Sequence, residues 1–329
     1  MTVISADLAV DSLTVRFPVG RHGILKRESA QWLTAVNDVS LVIPAGTSLG
    51  IVGESGCGKS TLARTVAGLI EPTSGSVSLS GTQLAARRSR SDARRIQMVF
   101  QDPASSLNPR ITVRDMLTEV LSVHGIVAPE RMARHLDELM GLVGLPTSVL
   151  EQKPKNLSGG QRQRVGIVRA LAPEPELMIL DEAIAALDVS VQAAVLSLLM
   201  DLRERLSLSM MFISHDLGAV RSVCDSVAVM YLGRVVEHGP VDTVLHNPRH
   251  PYTRALLDAE PNLDSPKAPG TSGLRGEPPS AISLPSGCAF RTRCAFADDT
   301  CAQSLPVIDM TAPHDQACFH PRGHRDVPA

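Results

Sequence analysis

Three observations predict an α/β fold built on a mainly parallel sheet. Short apolar runs alternate with segments of helical period. One such run, Ser48 to Val52, enters a glycine-rich segment that opens onto a helical pattern. Another, Leu177 to Leu180, ends in two adjacent carboxylates, Asp181 and Glu182. The chain has 329 residues, enough for about two domains with a substantial core.

Taken in order, Leu8, Val10, Leu13, Val15 and Phe17 roughly alternate and predict a first strand. Residues 20–33 are polar and basic and read as a loop. Val39, Leu41 and Ile43 predict a second strand, and Pro44-Ala-Gly46 turns the chain into Ser48–Val52. A helix follows from Lys59 to Leu69, then a buried strand from Ile96 to Phe100. From Thr112 to about Ala172 the pattern is helical, which suggests a helical subdomain over about 104–172 inserted between two sheet strands. After Leu177–Leu180 come helix Val189–Leu206, strand Met210–Ile213, helix Leu217–Val223 and strand Val227–Tyr231. The composition shifts near residue 260, so residues 1–260 read as one domain. Residues 261–329 read as a Pro-rich linker and a C-terminal extension that forms a separate unit.

Composition narrows the function classes. Hydrophobic residues at 43% and charged residues at 20% exclude a disordered chain. A net charge of −2 and 3% aromatics argue against a nucleic-acid binder, which carries a basic excess and stacking platforms. The arginine run Arg87 to Arg95 reads as a solvated face, with a membrane-facing basic patch as the alternative. No apolar stretch reaches about 18 residues, so no bilayer-spanning helix is expected. Met1 to Val10 does not read as a secretory signal, so a cytosolic location is expected.

Gly53-Glu54-Ser55-Gly56-Cys57-Gly58-Lys59-Ser60-Thr61 has the spacing of a phosphate-binding loop, between a strand and a helix. Glycines let backbone N–H groups turn onto phosphate oxygens, and the helix start adds its positive end. Lys59 supplies a cation for the outer phosphates, and the Ser60 hydroxyl suits Mg²⁺. Asp181 at a buried strand tip is the second Mg²⁺ candidate, and Glu182 is placed for an attacking water. Cys57 and Cys224 read as small buried fillers.

Cys288-x5-Cys294-x6-Cys301-x16-Cys318 crowd the C-terminal end. In a reducing compartment such a cluster reads as metal binding before disulfides. The spacing fits neither the paired C-x2-C zinc ribbon nor the bacterial ferredoxin run, so residue spacing leaves the metal open.

Leu157-Ser158-Gly159-Gly160-Gln161-Arg162-Gln163-Arg164 resembles the signature of ATP-binding-cassette (ABC) ATPases. Gln101, Asp188 and His215 resemble that family's Q-loop glutamine, D-loop aspartate and switch histidine, in the family's order. The resemblance implies an ABC-type nucleotide-binding domain that works in head-to-tail pairs. Ser158, Gly159, Gly160 and Gln161 would then face the partner's ATP. It makes Gln101, Glu182 and His215 catalytic candidates, with Gln101 also near Mg²⁺, Asp188 at the nucleotide interface and Phe17 as adenine stacker ahead of Trp32. Three further segments, Gln101–Arg110, Asn247–Leu256 and Pro285–Cys294, resemble oligopeptide and dipeptide importer ATPases, with residues 20–33 nearer the F-type subunit. This implies ATP hydrolysis coupled to peptide uptake at the cytoplasmic face of the membrane. The implied partners are a second, different ATPase subunit, two membrane permeases and an extracytoplasmic solute-binding protein. It also implies a [4Fe–4S] cluster on the four cysteines; zinc is the second metal, and a tail without metal is the remaining alternative. One departure stands out: the family reads Asp-Glu-Pro-Thr-Ser-Ala-Leu-Asp where this chain has Asp181-Glu-Ala-Ile-Ala-Ala-Leu-Asp188. The alternatives are a soluble non-transport ABC ATPase and a catalytically weak partner in a heterodimeric importer.

Overall fold

The computed structural model describes residues 7–19, 31–102, 106–259 and 276–321. Most of the 20–33 segment and most of the Pro-rich linker lie outside the described residues.

The main sheet has seven strands. Along the sheet they run β11 (Asp315–Gln316), β10 (Arg234–Pro240), β9 (Ser226–Tyr231), β3 (Ser48–Val52), β8 (Ser209–Ile213), β7 (Leu177–Asp181) and β6 (Ile96–Val99). The five strands from β9 to β6 are parallel, while β10 and β11 add antiparallel. A second, four-stranded antiparallel sheet was not expected. Its order is β2 (Gln31–Ile43), β1 (Leu8–Val19), β4 (Ser74–Leu79) and β5 (Thr82–Gln83). The second strand therefore starts at Gln31, and Trp32 and Leu33 are strand residues rather than loop. The imperfect alternation in β1 has a cause: its ladder shifts register between Val10 and Leu13 and again near Val15, with Ser12 at φ 46.

Strand pleating explains why the central strands read as unbroken apolar runs. Leu177 and Ile179 of β7 face the antiparallel sheet, while Met178 and Leu180 face the helical layer. In β8, Met211 and Ile213 take the first side and Met210 and Phe212 the second. A strand covered on both faces must be apolar at every position. Two cores result, one on each side of the parallel sheet.

The segment between β6 and β7 is helical, as expected. It contains Val113–His124, Met132–Leu142 and Gly159–Leu171. The first helix is closed at both ends: Thr112 and Asp115 form a reciprocal cap, and Gly125 ends it in the left-handed region. Helices Val189–Leu206 and Leu217–Val223 have the predicted bounds. No described helix is long and apolar enough to cross a membrane.

Arg87 and Arg90 of the arginine run are exposed, while its other three arginines are tied down. Arg88 donates to the Val66 carbonyl, Arg94 to that of Pro173, and Arg95 pairs with Glu176. Residues 276–321 pack on the first domain: Phe290 is buried in the helical-side core, the Thr34 N–H donates to the Ala281 carbonyl, and β11 extends the main sheet.

Candidate functional site

The carboxyl ends of β3, β8, β7 and β6 lie side by side, because these strands are consecutive parallel neighbours in the sheet. Ligands of open α/β sheets bind along this edge. At or just after the ends of these strands stand Gly53, Gln101, Asp181–Glu182 and His215, so the topology gathers four segments that lie far apart in sequence.

The loop after β3 is shaped by its glycines. Gly53 has φ +147, and a Cβ there would sit 2.2 Å from the Met230 carbonyl oxygen. Lys59 starts the helix Lys59–Val66 and is buried. Its Nζ donates to the carbonyl oxygens of Gly53 at 2.7 Å and Glu54 at 3.0 Å, so the ammonium lies across its own loop. The loop's N–H groups and this cation form a concave anion site. Ser55, Gly56 and Thr61 belong to the same turn and helix start, and Cys57 is buried beneath it.

Ser60 and Asp181 meet. The Ser60 hydroxyl donates to Asp181 Oδ1 at 2.7 Å. Burial pushes the Asp181 carboxyl above its ordinary range, and the Ser60 hydrogen bond partly offsets this. Two oxygen donors at a buried strand tip fit a hard divalent cation, which would hold the carboxylate ionised. Gln101 meets the residue next to Asp181: its Nε2 donates to Glu182 Oε2 at 2.9 Å. His215 Nδ1 lies 3.9 Å from the same oxygen. Glu182 is thus the meeting point of Gln101 and His215. Its backbone is at φ 47 and its N–H donates to the Ile213 carbonyl at 2.9 Å, so the neighbouring strand fixes a strained residue.

The turn Ser158–Gln161 forms a second anion-type site. The Ser158 hydroxyl accepts from the Gln161 N–H, and the Gln161 side chain accepts from the Ser158 N–H. The first-turn N–H groups of Gly159 and Gly160 have no partner within the helix. No hydrogen bond or ion pair among the described residues joins this turn to Gly53–Thr61. The glycines let the segment after Glu182 pack close: a Cβ on Gly160 would be 2.6 Å from Val191 Cγ1, and one on Gly159 would be 3.8 Å from Leu187. The altered residues therefore run from Glu182 toward the signature turn. Ala183 and Ile184 are buried in the core, Ala185 is exposed, and Asp188 precedes the helix Val189–Leu206. Phe17 and Trp32 are exposed on adjacent strands, with Phe17 opposite Leu33 and Trp32 opposite Pro18.

Two family models match this chain. One, described as ABC transporter, covers residues 36–185, and one described as oligopeptide/dipeptide transporter, C-terminal region, covers residues 236–301. A probable peptide ABC transporter ATP-binding protein of Sinorhizobium fredii is 47% identical over 317 residues, covering 95% of this chain and 89% of that protein. The chain belongs to the ABC transporter ATPase family. The oligopeptide transport ATP-binding protein OppF of Escherichia coli is 43% identical over 328 residues, covering 95% of each chain. Among solved structures of ABC proteins, cbiO1 of Clostridium perfringens, part of an ABC transporter complex, has a TM-score of 0.60. It is 27% identical over 72% of this chain and 89% of its own. A dimeric ATP-binding cassette in a post-hydrolysis state with ADP and phosphate has a TM-score of 0.59, at 25% identity over 71% of this chain and 98% of its own.

All four C-terminal cysteines of this ABC ATPase line one small cavity, together with His250, Phe296 and His320. No disulfide joins them. The N–H groups of Phe296 and His320 donate to the sulfurs of Cys294 and Cys318 at 3.4 and 3.3 Å. Burial, and then the neighbouring Cys288, Cys294 and Cys301, push the Cys318 thiol up to about 11. Four thiolates gathered in one cavity are held together only around a cation. Asp298, Cys301 and His320 also present ligand atoms within 4.8 Å of one another.

Sequence reasoning missed three residues that hold the site. Glu237 is fully buried and accepts from the N–H groups of Arg249 and His250 and from His314 Nε2. This carboxylate fixes the start of helix Pro251–Ala259 and gives the Asn247–Leu256 segment a structural reason. The second is Tyr252, whose hydroxyl accepts from the Glu54 N–H at 2.8 Å. The third is Arg293, paired with the Glu54 carboxylate. Tail and phosphate loop touch at Glu54.

Proposed function

We propose that this chain is one ATPase subunit of an importer that takes up di- or oligopeptides. The observation that carries this is the convergence of phosphate loop, Ser60–Asp181 pair and Glu182–Gln101–His215 group on one sheet edge. It occurs in a chain 43% to 47% identical to proteins named for peptide transport. Gly53–Thr61 and Lys59 hold the phosphates, and Phe17 stacks on adenine, with Trp32 beside it. Ser60 and Asp181 hold Mg²⁺, which supplies charge neutralisation at the phosphates. Glu182 accepts a proton from the attacking water, Gln101 orients the carboxylate, and His215 faces the γ-phosphate. Ser158–Gln161 and Asp188 complete the ATP site of a second, non-identical ATPase subunit. Two membrane permeases anchor the pair at the cytoplasmic face, and an extracytoplasmic binding protein delivers the peptide.

Lys59→Ala is the direct test. Charge-assisted hydrogen bonds to phosphate contribute about 1.5–3 kcal/mol, so calorimetry should show MgATP affinity falling about 10- to 100-fold. Unchanged affinity overturns the nucleotide site. The importer reading is tested in vesicles holding both permeases, where a peptide-loaded binding protein should raise phosphate release; no response to peptide overturns it.

The cysteine cavity is proposed to hold a [4Fe–4S] cluster through Cys288, Cys294, Cys301 and Cys318. Four sulfurs lining one cavity, two of them receiving backbone N–H bonds, support it. The Asp298–Cys301–His320 grouping favours zinc as the second reading, since zinc takes mixed O, S and N donors. Anaerobically purified protein should be brown with about four iron atoms per chain. Cys→Ser at any of the four should bleach it, while Cys57→Ser and Cys224→Ser should not. Colourless protein with stoichiometric zinc replaces the cluster by a zinc site.

A further inference from the structure

We propose that Arg293, carried by the C-terminal extension, is a positioning residue of the nucleotide site that neutralises an acidic group inside the phosphate loop. The inference rests on the nucleotide-site reading above.

Glu54 is the second residue of the loop and is held from three sides. Its carboxylate receives both arms of Arg293, at 2.7 and 3.0 Å. Its N–H donates to the Tyr252 hydroxyl at 2.8 Å. Its carbonyl accepts from Lys59 Nζ at 3.0 Å. The Arg293 side chain is only 4% exposed and that of Glu54 21%, so the pair is largely shielded from solvent. Shielding makes the two-point geometry matter, because a buried charge left without its partner is costly.

The anchorage behind the pair is rigid. Tyr231, Tyr252 and Phe290 pack as a ring cluster with centroids 4.7–5.4 Å apart. The Arg293 guanidinium lies 5.9 Å from the Tyr231 ring centroid. Phe290 and Arg293 belong to the short segment between Cys288 and Cys294. The backbone that brings two thiols to the cysteine cavity therefore also brings the guanidinium to the loop.

The chemistry follows from charge. A phosphate-binding loop accepts a polyanion, and a carboxylate within it opposes that anion. Arg293 cancels this charge and fixes the carbonyl that holds Lys59. Tyr252 fixes the same residue by its backbone. The extension is thus a built part of the nucleotide site, and its docking sets how well the loop accepts phosphate.

The test is a rescue experiment on the full chain, with MgATP affinity measured by calorimetry at low and high salt. Arg293→Ala should weaken binding about tenfold or more, because Glu54 is left unpaired beside the incoming phosphates. Adding Glu54→Gln to Arg293→Ala should restore affinity to within about threefold of wild type, since the unpaired charge is gone. High salt should narrow the gap between wild type and Arg293→Ala. A packing role alone predicts no rescue, so a loss that Glu54→Gln leaves in place overturns the proposal. So does wild-type affinity in Arg293→Ala. Should Arg293→Ala fail to fold, Arg293→Gln decides: it keeps a donor toward Glu54 but removes the charge, so MgATP affinity should fall about fivefold or more, with the loss narrowing at high salt, and affinity within about twofold of wild type overturns the proposal. Failure of the nucleotide-site reading looks different: wild-type protein then shows no MgATP binding that depends on Lys59.

Discussion

Glu182→Gln is expected to cut ATP turnover by about 10²-fold or more while MgATP binding stays near wild type, the usual scale of a lost acid–base group. The substitution is isosteric, so the N–H bond from residue 182 to the Ile213 carbonyl and the φ of 47 can both persist. An amide can still meet Gln101, which lies 2.9 Å from the carboxylate. What disappears is the group that takes the proton from water. Binding is expected to depend on Gly53–Ser60, which meets this corner through the Ser60–Asp181 contact. Phosphate release by the assembled transporter and nucleotide retention by gel filtration measure the two effects separately. A variant that retains ATP and sediments as a subunit pair with turnover abolished gives Glu182 the role of base. Turnover near wild type assigns hydrolysis to the other subunit's site and makes this chain the weak partner.

That weak-partner alternative arises from the sequence 183–185, and the fold says which of these residues matter. Ala183 and Ile184 are buried, so isoleucine there adds apolar packing. Ala185 is exposed on the stretch that continues to Leu187 and Val191 beside the signature turn. Any effect on communication between ATP sites therefore falls on position 185, while Glu182 is fixed independently by β8.

How much was legible in the sequence follows from the range of the interactions. Gly53–Thr61 and Asp181–Glu182 were readable because residue type, spacing and flanking elements all act locally. Gln101 and His215 needed the family pattern, since a single glutamine or histidine has no local signature. The antiparallel sheet was missed at β4, where Ser74-Gly-Ser-Val-Ser-Leu79 has only two apolar residues, Val77 and Leu79, that are buried. Strand β10 was missed because it carries a glutamate, and a charge in a strand argues against burial until its partners are known. Glu237 is fully buried only because Arg249, His250 and His314 supply donors from two later segments. Arg293 and Glu54 are 239 positions apart, so no window of sequence could pair them. The available signal was weaker: an arginine directly preceding a cysteine in an extension that resembled a metal site.

The second large effect concerns Gly58. Gly58→Ala is expected to lower MgATP affinity about 10²-fold or more and to cost at least about 2 kcal/mol of stability, whereas Gly56→Ala should cost about 1 kcal/mol. Both glycines have positive φ, +110 and +77, so an L side chain is strained at either position. Their surroundings differ. A Cβ at Gly58 would lie 2.1 Å from the Ala35 carbonyl oxygen and 3.5 Å from the Gly233 Cα, both backbone atoms that cannot swing aside. A Cβ at Gly56 meets nothing within 4 Å. The loop at Gly58 passes between β2 and the turn at Gly233, whose N–H donates to the Cys57 carbonyl at 2.8 Å. Relieving the clash must move Gly58 away from Ala35, and with it the first turn of the helix that begins at Lys59. That displaces Lys59 from the Gly53 and Glu54 carbonyls and Ser60 from Asp181, so phosphate and cation contacts are lost together. Thermal melts of the two variants separate steric clash from φ strain, with about 4–8 °C expected for Gly58→Ala. Equal melting of the two variants means that the loop has room at Gly58 and that the close approach to Ala35 does not shape the site.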